Sequence, residues 1–135
     1  MQELHISFSD ISLGAASITN NVSLKMVSEL NLNYAMTPTW NPELQTQARH
    51  LNQLLIPGVF SPTEIQQAKD FGCRLIKLFP ASGLGINYLP QLIDPIGSIP
   101  FVIAAGGLNV NDLSPWLKAG YGAIALGRKL IKGGQ

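Results

Sequence analysis

Short apolar, β-rich runs alternate with amphipathic stretches along the whole chain, and no other feature of the sequence constrains the fold as much. A strand followed by a helix before the next strand is the signature of βα units around a parallel sheet. The strand candidates are residues 11–18, 34–38, 54–59, 75–80, 101–106 and 121–126. Between them NNVSLKMVSELN, NPELQTQARHLN, SPTEIQQAKDFG and NVNDLSPWLKAG read as helices. Each opens on Asn or Ser, whose side chain can accept from the free amides of a first turn, and Pro42 and Pro62 fall where no donor is lost. Gly72 and Gly120 mark helix ends. The remaining connection, GLGINYLPQLIDPIG, contains Pro90 and Pro95, which predict a shorter helix with an irregular tail.

Open doubly wound sheets and closed barrels share this rhythm. No Gly-x-Gly-x-x-Gly turn follows a strand, as a dinucleotide fold would require. Polar or glycine residues collect at strand C-terminal ends (Ser17, Thr37, Lys77, Gly106 and Gly127), the face where barrel enzymes place their sites. Both points favour the barrel. Complete (β/α)8 barrels run to about 250 residues, and the chain has 135. The expectation is therefore a single α/β domain over residues 1–135, an incomplete (β/α)8 barrel of six βα units that lacks the first two strands and the last helix.

Composition narrows function by exclusion. With 46% hydrophobic and 13% charged residues the chain belongs with folded globular domains, and a net charge of +1 gives no electrostatic case for nucleic acid or anionic membrane. No apolar run reaches the roughly 18 residues needed to span a bilayer, and the opening MQELHISFSD lacks signal-peptide order. Cys73 is the only cysteine, which excludes an internal disulfide and fits a reducing, cytoplasmic compartment. His5 precedes any ordered unit and His50 has no second ligand one turn away, so no metal site is expected.

One residue resists this bland reading. Lys77 lies inside RLIKLFPAS, a run that otherwise reads as a buried strand. Removing an ammonium from water costs several kcal/mol unless it is paired or becomes neutral. Alternation along the strand puts Leu75, Lys77 and Phe79 on one face and Ile76 and Leu78 on the other. A neutral lysine there is a nucleophile; a strand-end lysine also reaches solvent along its stem. The strand context leaves both readings open.

The run LLIPGVFSPTEIQQAKDFGCRLIKLFPAS, followed by IPFVIAAGGLNVNDLSPWLKAGYGAIALG, resembles the 2-dehydro-3-deoxyphosphogluconate (KDPG) / 4-hydroxy-2-oxoglutarate (KHG) aldolases, the Entner–Doudoroff aldolase family. LGAASIT and MTPTWNPEL look like that family's upstream strands. The resemblance implies a class I aldolase in which Lys77 forms a Schiff base with a 2-keto acid and releases pyruvate and an aldehyde, with no metal or other cofactor. It implies substrate contacts for Ser17, Thr37, Phe79, Gly106, Gly107, Gly127 and Arg128, the glycines and Arg128 on the phosphate side. It implies a small-molecule keto-acid partner, and a homo-oligomer, since family members commonly form trimers.

The chain also departs from the family pattern. Ala105 stands where the family usually has threonine, LGRKL where it has a Gly-Gly-Ser-like loop, and Ser17 where it has threonine. The family's acid/base glutamate and carboxylate-gripping arginine precede the segment similar to LGAASIT, where this chain has almost no sequence. Glu29, Glu43, Glu64, Asp70 and Asp112 fall in helical stretches and Asp94 after one, so no positioned base for Lys77 is expected. The alternative to an aldolase is a catalytically impaired remnant or sugar-phosphate-binding scaffold.

Overall fold

The computed structural model describes residues 11–127. The chain packs as two compact units, residues 1–58 and 59–135.

In the first unit β1 (Gly14–Ala15), β2 (Tyr34–Met36) and β3 (Leu55–Ile56) form a parallel sheet in the order β1-β2-β3. Helices α1 (Asn21–Glu29) and α2 (Pro42–His50) make the crossovers. The Asn20 side chain accepts from the Ser23 amide at 2.8 Å, and Asn41 accepts from the Glu43 and Leu44 amides at 3.1 Å. Both helices end on asparagine in the left-handed region, Asn31 at φ 55° and Asn52 at φ 53°, where the short polar side chain is tolerated in glycine's usual place. Leu24 and Val27 of α1, Leu44 and Ala48 of α2, Ala35 of β2 and Leu55 of β3 build the core. Their spacings of three and four residues along each helix are the helical period.

In the second unit β4 (Gly58–Val59), β5 (Leu75–Leu78), β6 (Phe101–Ala105) and β7 (Ala123–Ala125) lie in that order, with β5, β6 and β7 parallel. Around the sheet run α3 (Pro62–Phe71), the single turn α4 (Ala81–Leu84), α5 (Tyr88–Ile96), a 3-10 turn (Val110–Asp112) and α6 (Leu113–Lys118). Ser61 caps α3: its hydroxyl accepts from the Glu64 amide at 3.2 Å and donates to the Glu64 carboxylate at 2.7 Å. Gly72 closes the helix at φ 97°. Ile65, Ala68, Ile76, Leu78, Val102 and Ala104 are all buried, and the Trp116 and Tyr121 rings meet with centroids 4.7 Å apart.

Three expectations change. The strand expected over 54–59 is two strands in two sheets, because Pro57 between them has no N–H for a ladder; seven strands replace six. The run expected over 11–18 pairs only at Gly14–Ala15, and Ser17 turns to φ 60°. The helix around Pro90 and Pro95 is not shortened, with nine residues against nine in α1. Pro90 sits in its first turn, where amides have no helical partner, and Pro95 is next to its last residue. Asp94 therefore lies on α5 and not after it. No described helix is long and apolar enough to cross a membrane.

Leu24, fully buried, and Val22, 75% exposed, share one helix and separate packing from propensity. Leu24→Ala is expected to lower unfolding stability by about 2–5 kcal/mol and Val22→Ala to stay within about 0.5 kcal/mol. Urea unfolding of both variants checks this; equal losses would mean that the α1 core is misplaced.

Candidate functional site

Strand β5 pairs with β6 in the register Leu75↔Phe101, Ile76↔Val102, Lys77↔Ile103 and Leu78↔Ala104. In a parallel ladder, residues in register share a face. Ile76, Leu78, Val102 and Ala104 are buried on one side, so Lys77 stands with Ile103 and Ala105 on the other. Lys77 is 7% exposed, an unusual place for a lysine. Its ammonium lies 5.2 Å from the centre of the Phe79 ring, within cation–π range and on the same strand face as the alternation predicted. Burial lowers the Lys77 pKa from the ordinary 10.5, which favours the neutral amine.

The strand ends beside Lys77 are held closely. Gly106, at φ 102°, carries no Cβ, and one placed there would lie 3.0 Å from Pro80 Cα. The Ser82 amide donates to the Gly106 carbonyl at 3.1 Å. A Cβ on Gly107, at φ 77°, would collide with the Ser82 hydroxyl. The glycine pair thus brings the Phe79–Ser82 turn down onto the end of β6, and Ser82 and Ile103 join a neighbourhood that the sequence reading drew without them. The signal for Ser82 was present: Gly106 and Gly107 each adopt a conformation and closeness that only glycine accepts.

The other candidates divide. Gly127 is exposed two residues past β7. Arg128 lies outside the described residues. Ser17 and Thr37 belong to the first unit, where the Ile18 amide donates to the Met36 carbonyl at 2.9 Å and sets the two at the same sheet end. Ser17 is exposed and left-handed, an uncommon state for serine. Thr37 is fully buried, its hydroxyl accepting weakly from the Thr39 amide at 3.4 Å.

The described carboxylates of residues 59–127 are committed elsewhere. Glu64 and Asp112 cap helical turns, Asp70 accepts from Gln66 at 2.8 Å, and Asp94 is exposed on α5. Among the described residues no three or more His, Cys, Asp or Glu gather as metal ligands.

KDPG and KHG aldolase is the family whose pattern matches residues 2–135. The chain belongs to this family. It is 27% identical over 123 residues to 2-dehydro-3-deoxy-6-phosphogalactonate aldolase of Escherichia coli (strain K12), covering 91% of this chain and 60% of that protein. It is 28% identical over 109 residues to 2-dehydro-3-deoxy-phosphogluconate aldolase of Treponema pallidum (strain Nichols), covering 80% of this chain and 51% of the relative. A native KDPGal structure superposes with a TM-score of 0.86 at 25% identity, over 99% of this chain and 66% of that one. The chain therefore has the α/β, TIM-barrel-type fold of the KDPG and KHG aldolases and spans between half and two thirds of the length of these relatives. The relatives named are aldolases, carbon–carbon lyases.

The lowered pKa of Lys77 makes stability depend on pH. Between the lowered folded-state value and 10.5 the unfolded chain binds more protons, so stability rises with pH across that window. Lys77→Met removes the term while keeping the bulk. The variant is expected to be more stable than wild type at neutral pH, by a margin that shrinks as pH approaches 10.5. Urea unfolding at several pH values measures it, and a pH-independent margin would contradict the burial of an ionisable amine.

Proposed function

We propose that this chain is a class I aldolase whose nucleophile is Lys77. The observation that carries the proposal is a lysine 7% exposed on the open face of β5, with its pKa lowered by burial. The neutral amine adds to the keto carbon of a 2-keto acid, water leaves, and a protonated imine forms. In a 4-hydroxy-2-oxo acid the C3–C4 bond then breaks. Its electron pair passes into the imine to give an enamine, the 4-hydroxyl gives up its proton, and an aldehyde departs. Protonation of the enamine carbon and hydrolysis release pyruvate and the free amine.

The substrate class follows from the family: a 2-keto-3-deoxy-6-phosphosugar acid or 4-hydroxy-2-oxoglutarate, used in cytoplasmic carbohydrate metabolism of the Entner–Doudoroff type. We assign substrate contacts to Phe79, Gly106 and Gly107 beside Lys77. Ser17, Thr37, Gly127 and Arg128 are proposed as substrate-binding residues by resemblance to the family alone. One observation favours a slower enzyme: no carboxylate of residues 59–127 is free to take the hydroxyl proton, because each is engaged or exposed elsewhere. A positioned acid/base group contributes typically about 10²- to 10⁴-fold in rate.

Incubation with pyruvate and borohydride is expected to add the reduced adduct's mass at Lys77 in wild type and nowhere in Lys77→Ala. Absence of label at Lys77 in the wild type would remove the proposal. Cleavage of 4-hydroxy-2-oxoglutarate is expected about 10²- to 10⁴-fold below that of the longer relatives, and parity would show that a base is supplied after all.

We further propose that the protein works as a homo-oligomer. Among the described residues β1 and β7 have one strand neighbour each, and a free strand edge invites pairing. Phe101, on the Lys77 face of the sheet, is 49% exposed. Static light scattering should give a mass above that of one chain and rising with concentration; a compact monomer at every concentration would overturn the assembly.

A further inference from the structure

The described residues around Lys77 supply an amine without an adjacent acid. Glu64, Asp70 and Asp112 are held in hydrogen bonds of their own and Asp94 is exposed. Cations are equally scarce. Within residues 59–127, Lys69 donates to the Ile96 carbonyl at 3.1 Å, Arg74 is exposed before β5 and Lys118 is exposed on α6. What does lie beside Lys77 is apolar: Ile103 in register across the sheet, Ala105 further along β6, and the Phe79 ring at 5.2 Å.

Such surroundings select among the reactions an imine can undergo. Cleavage of a 4-hydroxy-2-oxo acid needs a base to take the hydroxyl proton as the bond breaks. Loss of CO2 from a β-keto acid does not, because its carboxylate is already ionised and the breaking bond delivers its electron pair directly to the protonated imine. A 2-keto acid also brings a carboxylate on the keto carbon, and no described cation of this unit stands beside Lys77 to receive one. An apolar substituent on that carbon meets Ile103 and Ala105 instead.

We propose that Lys77 decarboxylates β-keto acids whose keto carbon carries a small apolar group, of which acetoacetate is the simplest. The inference rests on the reading of Lys77 as an imine-forming residue. The amine adds to the ketone and water leaves. The carbon–carboxylate bond of the protonated imine breaks, CO2 departs, and the electron pair forms the enamine. The enamine carbon takes a proton from water, and hydrolysis returns acetone and the amine. No oxidant, reductant or further reactant is required. The Phe79 ring supports the positive charge of the imine nitrogen, which occupies the place of the ammonium.

The test uses the 135-residue chain with acetoacetate, following acetone by proton NMR in wild type, Lys77→Ala and Lys77→Met. Circular dichroism establishes that both variants fold. Wild type is expected to release acetone about tenfold or more above the spontaneous rate, a margin that one pKa unit of amine neutralisation would supply, and both variants to fall to the spontaneous rate. Borohydride added with acetoacetate should place an isopropyl adduct on Lys77 and stop release. An adduct with no acceleration would overturn this inference and leave the imine reading standing. No adduct with either acetoacetate or pyruvate would overturn both. Acceleration that persists in Lys77→Met would assign the activity to another residue and overturn the inference.

Discussion

The parallel register of β5 on β6 is the constraint on which the second unit depends. Once Lys77 is opposite Ile103, the two-residue period fixes every other side chain on both strands. Ile76, Leu78, Val102 and Ala104 go to the buried side, where Ile65 and Ala68 of α3 are buried as well. A slip of one residue would drive the Lys77 amine into that core and turn Ile76 and Leu78 out, at a cost far above any alternative pairing energy. The position of the amine is thus a by-product of burying four aliphatic side chains, and it is as rigid as they are.

Helix starts were legible in the sequence because their physics is local. Asn20, Asn41 and Ser61 each reach an amide within three residues, so a short window contains the whole interaction. Strand limits were not legible, because a strand ends where its neighbour stops offering partners. Residues 11–18 have strand composition throughout, yet only Gly14 and Ala15 find Tyr34 and Ala35. Pro57 was visible as a residue without an N–H; its consequence, a change of sheet, depends on pairing that no local window holds. Pro90 and Pro95 misled for the converse reason. A proline's effect depends on its place in the helix, and both fall near ends whose positions the pattern left open.

The site was legible in its chemistry and less so in its construction. A lysine in an apolar run announces itself, and the alternation that pairs it with Phe79 is a strand property. The Gly106–Gly107 pair could be read as a turn or as a ligand cradle, and the structure gives the pair a packing role: Pro80 and Ser82 occupy the space where their side chains would be. Ser82 was overlooked because its neighbour is more than twenty residues away in sequence. Nothing on its own strand hints at that contact.

Neither pairing nor packing asks for an amine at residue 77. A methionine or leucine would satisfy the same register and avoid the penalty of dehydrating a charge. The stability lost and the reactivity gained at this position are one quantity. Desolvation lowers the pKa, and the lowered pKa both leaves the folded chain with fewer bound protons than the unfolded chain and leaves a larger share of the amine neutral. Supplying a carboxylate partner would recover stability by holding the ammonium, and in the same measure would withdraw the nucleophile. An unpartnered lysine on the apolar face of a sheet is therefore poorly explained as a structural element and well explained as a carbonyl-attacking group. What it does after attack depends on which groups accept and return protons around the imine, and the described carboxylates of this unit hold helices together instead.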